Sequence, residues 1–173
     1  GFGAIGVATA RLLTAFGASV RGVARSAGQR AGFEVIAVED VESALPWTDL
    51  LVMVLPSTPR TAGALSAERL ALLPRRAVVV NVGRGATVDQ AALEAALRSG
   101  AISAAGLDVT DPEPLPADST LWDAPNLLLT PHAAGGRVVG AVERIIANAA
   151  AVDATPPGEP IIGLEAQIPR PSR

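Results

Sequence analysis

Two stretches of this chain, residues 49–55 (DLLVMVL) and 77–82 (AVVVNV), are apolar almost without a break. A strand with one wetted face alternates apolar and polar residues, whereas a strand covered on both faces does not. Sheets covered on both faces are characteristically parallel, with helices packed on either side. Pro56 ends the first run, as a residue without an amide donor should on an inner strand. Shorter segments at 19–24 (SVRGVA), 33–37 (FEVIA), 104–109 (AAGLDV) and 127–130 (LLLT) read as further strands. Between them lie helical stretches at 7–16, 39–45, 66–73, 89–99 and 137–151. Ser66 stands at an N-cap position, and Gly17 and Gly100 stand where C′ glycines close helices. Residues 25–30 read as a polar turn. Strands alternating with helices imply a parallel sheet with crossover connections, that is, a doubly wound α/β domain.

The chain has 173 residues, enough for one domain or for one domain and a fragment of another. It has no Cys and a single His, which excludes disulfides, thiolate metal sites and multi-histidine metal centres, so no metal is expected. A net charge of -3 without a basic tract argues against a nucleic-acid partner. No apolar run approaches the roughly 20 residues of a membrane helix. A cytoplasmic location is the default expectation.

The chain opens with GFGAIG, residues 1–6. In a GxGxxG loop the first glycine (Gly1) makes a tight turn, the second (Gly3) lets a pyrophosphate approach the backbone, and the third (Gly6) lets helix and strand pack closely. The helix N-terminus at Ala4 and Ile5 then offers amides and partial positive charge to phosphates. Such a loop follows a strand, yet nothing precedes Gly1. The usual strand order 3-2-1-4-5-6 puts the first strand at the sheet centre. The expectation is therefore a sheet lacking its first strand, in a natural polypeptide that extends upstream. After the second strand, where a carboxylate would hold the ribose 2′-OH of NAD, stand Ala24, Arg25 and Ser26. A guanidinium and a hydroxyl suit a 2′-phosphate, so NADP(H) is favoured, with NAD(H) as the alternative. Arg30 is near enough in sequence to assist.

Three more groups follow strand ends, where ligands bind in open α/β sheets. Arg84 sits between two glycines and can reach a ligand carboxylate. Asp108 lies at the end of the strand at 104–109, and Asp111 and Glu113 follow it. His132, beside Pro131, follows the strand at 127–130, the place for a general acid/base.

Taken in order and spacing, GFGAIG, LPSTPRT (55–61), NVGRGATVD (81–89), GLDVTDPEPLP (106–116) and PNLLLTPHAAG (125–135) resemble the D-isomer-specific 2-hydroxyacid dehydrogenases, over nearly the whole chain to about Leu164. The resemblance implies that Arg84 binds the substrate carboxylate and polarises the carbonyl. It matches Glu113, not Asp111, to the catalytic glutamate and His132 to the acid/base. Asp108 matches a residue near the nicotinamide carboxamide, and Pro56 and Ser57 match a loop lining the cofactor. The substrate would be a small 2-oxo or 2-hydroxy acid, of the glyoxylate or hydroxypyruvate type. A homodimer is expected of the full-length form. Residues 1–156 would be an N-terminally truncated dinucleotide-binding domain, and 157–173 a crossover stub toward a missing substrate domain with a disordered tail. The chain by itself would then be inactive or nearly so. The alternative is a non-enzymatic NAD(P)-sensing interaction module of the same fold, against which the intact Arg84, Glu113 and His132 count.

Overall fold

A computed structural model describes residues 1–135. Gly1–Ala134 form one compact unit. The helix expected over 137–151, the domain boundary at 156–157 and the terminal stub lie outside the described residues.

The first helix, α1 (Ala4–Ala15), begins directly on the glycine loop with Gly3 as its N-cap. It starts three residues before its expected position, because the loop glycines offer the first-turn amides without any apolar signal. At its other end Gly17 adopts φ 86. The Ala18 amide donates to Leu13 O and the Gly17 amide to Thr14 O, which absorbs two of the last orphan carbonyls.

Three strands follow: β1 (Gly22–Ala24), β2 (Gly28–Arg30) and β3 (Phe33–Ala37). β1 runs parallel to β3, while β2 runs antiparallel to it, with Arg30 opposite Phe33. β2 corrects the expectation of a plain polar turn at 25–30. Its three residues are all exposed, so no periodicity announces it. It exists because Ala31 (φ 54) and Gly32 (φ 87) form a two-residue hairpin with both central φ values positive.

Then come α2 (Val41–Ala44), β4 (Leu50–Met53), α3 (Ala67–Ala71), β5 (Val78–Asn81), α4 (Gln90–Arg98), β6 (Ala104–Leu107) and β7 (Leu127–Leu129). The last four strands form a parallel sheet in the order β4-β5-β6-β7. Ser66 accepts the Arg69 amide at the start of α3, and Asp89 accepts the Ala92 amide at the start of α4. Among the described residues no strand joins the two sheets; β1 and β4 each pair on one side only.

The main core lies where α3 and α4 meet the four-stranded sheet, and includes Leu70, Val79, Leu93, Leu97, Ala105 and Leu107. A smaller cluster of Phe2, Ala10 and Val35 anchors the three-stranded sheet to the glycine loop, with Phe33 edge-on to Phe2 at 5.8 Å. No helix among the described residues is long and apolar enough to cross a membrane.

Candidate active site

Met53, Asn81, Leu107 and Leu129 lie in register across the four parallel strands. They form one row at the carboxyl ends, and the loops that leave this row carry Pro56 and Ser57, Arg84, Asp108 with Glu113, and His132. The topology therefore collects on one rim of the sheet residues that span some 75 positions of sequence (56 to 132).

The Arg84 loop is shaped by a fully buried amide. Asn81 is 0% exposed; its Oδ1 accepts the Gly83 amide at 3.0 Å and its Nδ2 donates to Arg84 O at 3.0 Å. The buried Thr87 hydroxyl donates to the same carbonyl at 2.7 Å. Next to Arg84, Gly85 is pressed on the neighbouring loop so closely that a Cβ there would stand 2.1 Å from the Thr110 carbonyl. The Arg84 side chain is exposed, with Nη1 on Gly83 O at 2.6 Å.

On the adjacent loops His132 Nδ1 lies 2.6 Å from Glu113 Oε1. The two side chains are 42% and 38% exposed, so the pair is open to a ligand. With Nδ1 donating to the carboxylate, Nε2 is the nitrogen left to exchange a proton. Asp111 does not meet His132; its backbone is engaged by Gln90. His132 has φ 52, and its amide donates to Asp108 O at 2.9 Å.

Asp108, expected near the nicotinamide carboxamide, is 6% exposed, and its carboxylate is occupied by the turn that carries His132. It accepts the Thr130 hydroxyl at 2.5 Å and the Ala133 and Ala134 amides at 2.9 Å each. The Thr130 hydrogen bond, the two amides and the nearby His132 charge hold this carboxyl below its ordinary value, against the opposing effect of burial. A depressed carboxylate stabilises the fold fully above its ordinary value of 3.8 and loses that contribution as pH falls through the lower folded value. Thermal melts across the range below about pH 4 are expected to show this acid limb, and Asp108→Asn should flatten it. An unchanged limb in the variant would assign it to another group.

At the other edge of the rim, Gly3, Ala4 and Ile5 are exposed, and the first turn of α1 carries no acidic residue. The amides of Ala4, Ile5 and Gly6 have no intrahelical partner. A Cβ on Gly6 would stand 2.5 Å from Gly1 O, so the loop closes on itself only with glycine there. Arg25 and Ser26 follow β1 and are exposed, and Arg30 Nη1 reaches back to Phe2 O at 2.5 Å. Pro56 and Ser57 are exposed after β4, with Pro56 O held by the Thr61 hydroxyl at 2.6 Å.

Sequence reasoning passes over Asn81, Thr87, Gln90 and Thr130, which hold the loops. Asn81 and Thr130 carry a legible signal, each as the one polar residue in an apolar run.

Comparison with known proteins agrees with this geometry. The model of the D-isomer specific 2-hydroxyacid dehydrogenase NAD binding domain matches residues 1–134. The glyoxylate/hydroxypyruvate reductase A of Salmonella newport is 37% identical over 94% of this chain. The chain covers 52% of that relative, about half its length. A D-isomer specific 2-hydroxyacid dehydrogenase from Xanthobacter autotrophicus Py2, solved with NADPH and MES, superposes with a TM-score of 0.84 at 43% identity, over 94% of this chain and 66% of that one. An NADPH-dependent glyoxylate/hydroxypyruvate reductase from Sinorhizobium meliloti, solved with NADP and sulfate, gives 0.83 at 35% identity, over 94% of this chain and 52% of that one. The fold, the order of its motifs and these matches together place the chain in the D-isomer specific 2-hydroxyacid dehydrogenase family, as its NAD binding domain.

Proposed function

We propose that this domain serves an NADP(H)-dependent reductase of small 2-oxo acids, of the glyoxylate or hydroxypyruvate type, and that the enzyme works as a homodimer. The observation that carries the reading is the Glu113–His132 pair on the same rim as the loop of Arg84. Reducing a 2-oxo acid places a hydride on C2 and a proton on the carbonyl oxygen. His132 holds that proton on Nε2, and Glu113 keeps the ring oriented through Nδ1. Arg84 fixes the substrate carboxylate and stabilises charge developing on the carbonyl oxygen.

The residues at the glycine loop fit a dinucleotide. The open space in front of Gly3, where a Cβ would meet nothing within 4 Å, the free amides of α1 and the absence of an acidic residue in its first turn all suit a pyrophosphate. Arg25 and Ser26 would hold the 2′-phosphate, with Pro56 and Ser57 lining the nicotinamide end. Bound there, the cofactor supplies the hydride.

The test uses the polypeptide that carries this domain, expressed at full length. Oxidation of NADPH and NADH is followed with hydroxypyruvate, glyoxylate and pyruvate. NADPH is expected to be preferred, and Arg25→Ala to reduce that preference about tenfold or more, the worth of one charged hydrogen bond. A preference for NADH would overturn the 2′-phosphate assignment and leave the reductase. Tight cofactor binding without turnover on any 2-oxo acid would overturn the enzyme in favour of a sensing module.

A further inference from the structure

Residues 109–115 carry Glu113; Val109 is buried and Thr110 is pressed on Gly85, but few hydrogen bonds tie the segment to the rest of the fold. Among the described residues, no backbone group from Val109 to Leu115 hydrogen-bonds another backbone group. Within the loop, the Thr110 hydroxyl donates to Pro112 O at 3.0 Å. Apart from the bond between Glu113 and His132, its hydrogen bonds to another element come from one side chain. Gln90 Oε1 accepts the Asp111 amide at 3.1 Å, and Gln90 Nε2 donates to Asp111 O. This imitates one rung of a sheet, made by a side chain 21 positions upstream. A side-chain amide suits this, because it offers an acceptor and a donor side by side.

The other end of this link is firmly placed. Gln90 is the first residue of α4, whose N-cap Asp89 donates its amide to Leu65 O at 3.0 Å and accepts the Ala92 amide. Three residues on, Leu93 is fully buried in the main core. Glu113, two residues past Asp111, makes no side-chain hydrogen bond among the described residues except that to His132. Its place is therefore set by its backbone, which beyond the packing of Val109 and Thr110 is held to another element by the two hydrogen bonds of Gln90.

We infer that Gln90 is a positioning residue for the Glu113–His132 pair: by clamping both backbone groups of Asp111 it holds the loop at the height where Glu113 meets the imidazole. This rests on the catalytic reading of that pair given above. Glutamate at the same position would keep the acceptor, lose the donor and set a carboxylate against Asp111 O, so Gln90→Glu should not restore the clamp.

The experiment uses the full-length protein and two readouts. The first is amide hydrogen exchange of the peptide spanning 109–115, expected to speed up in Gln90→Ala; unchanged exchange overturns the clamp. The second is a double-mutant cycle on hydroxypyruvate reduction. Gln90→Ala is expected to lower kcat about tenfold, the scale of a small misplacement of a catalytic group, with the Kd for NADPH unchanged. In a Glu113→Gln background, the same change is expected to cost less than about twofold. An equal loss in both backgrounds would mean that Gln90 acts elsewhere and would overturn the inference. Faster exchange with undiminished kcat would overturn the positioning role. Full activity of Glu113→Gln itself would sink the reading of the pair, and this inference with it; the single Glu113 variant thus tells the two failures apart.

Discussion

Replacing His132 with Ala in the full-length protein is expected to lower kcat for 2-oxo acid reduction by about 10²- to 10⁴-fold, the range for loss of a positioned proton donor. NADPH affinity should hold, because His132 lies on the loop after β7, while the glycine cradle lies on the loop before α1. The backbone at His132 is left-handed, with φ 52, a region that Asn also tolerates. His132→Asn is therefore the sharper variant: it keeps the turn clasped by Asp108 and removes only the imidazole. Steady-state kinetics with NADPH titration checks both. Either variant retaining more than about a tenth of wild-type kcat would remove His132 from the proton-transfer step.

The second large effect comes from a single methyl group. Gly85→Ala would put a Cβ 2.1 Å from the Thr110 carbonyl and 2.6 Å from the Asp111 amide nitrogen, both backbone atoms that cannot swing aside. Arg84 is its neighbour on one side, and the loop that carries Glu113 lies on the other. The loop must move or Arg84 must, so activity and stability fall together. Overpacking of this kind costs about 1–3 kcal/mol, and Tm should drop by several degrees. Gly106→Ala is the control, since its Cβ would sit 3.9 Å from a Val80 methyl, an ordinary contact. The expected result is a lowered Tm and a lowered kcat for Gly85→Ala, with Gly106→Ala close to wild type in Tm. A Gly85→Ala enzyme of wild-type Tm and kcat would show that the loops do not interlock.

What the residues disclose in advance depends on where each is held. β5 is legible because an inner strand needs apolar side chains on both faces, so AVVVNV admits little else; DLLVMVL shows the same pattern in β4, which among the described residues pairs on one side only. β2 is invisible to the same logic: Gly28, Gln29 and Arg30 face solvent, and their pairing is dictated by the two positive φ values at the hairpin tip. The site divides in the same way. Arg84 and His132 can be picked out because their chemistry and their positions at strand ends single them out, whereas Glu113 is separated from Asp111 only by the family resemblance. Structure adds that Glu113, not Asp111, meets His132. Asn81 acts locally, on the Gly83 amide and the Arg84 carbonyl, but the other parts that hold them are not readable, because Gln90 and Asp108 act through groups distant in sequence. Asp108 shows this most clearly: its carboxylate faces three donors on the His132 turn, 22 to 26 residues away, which no local spacing encodes.

The segment from Val109 to Leu115 shares no ladder with the sheet, and this bears on how such a protein can change over generations. A substitution in β5 or β6 is punished at once as lost solubility or a lower melting point. A substitution among the exposed residues Asp111 to Pro114 leaves the folded body intact and would be judged only by the proposed reaction. Selection can thus try new acceptors on a fold that stays constant, provided that Gln90, or something doing its work, keeps hold of Asp111.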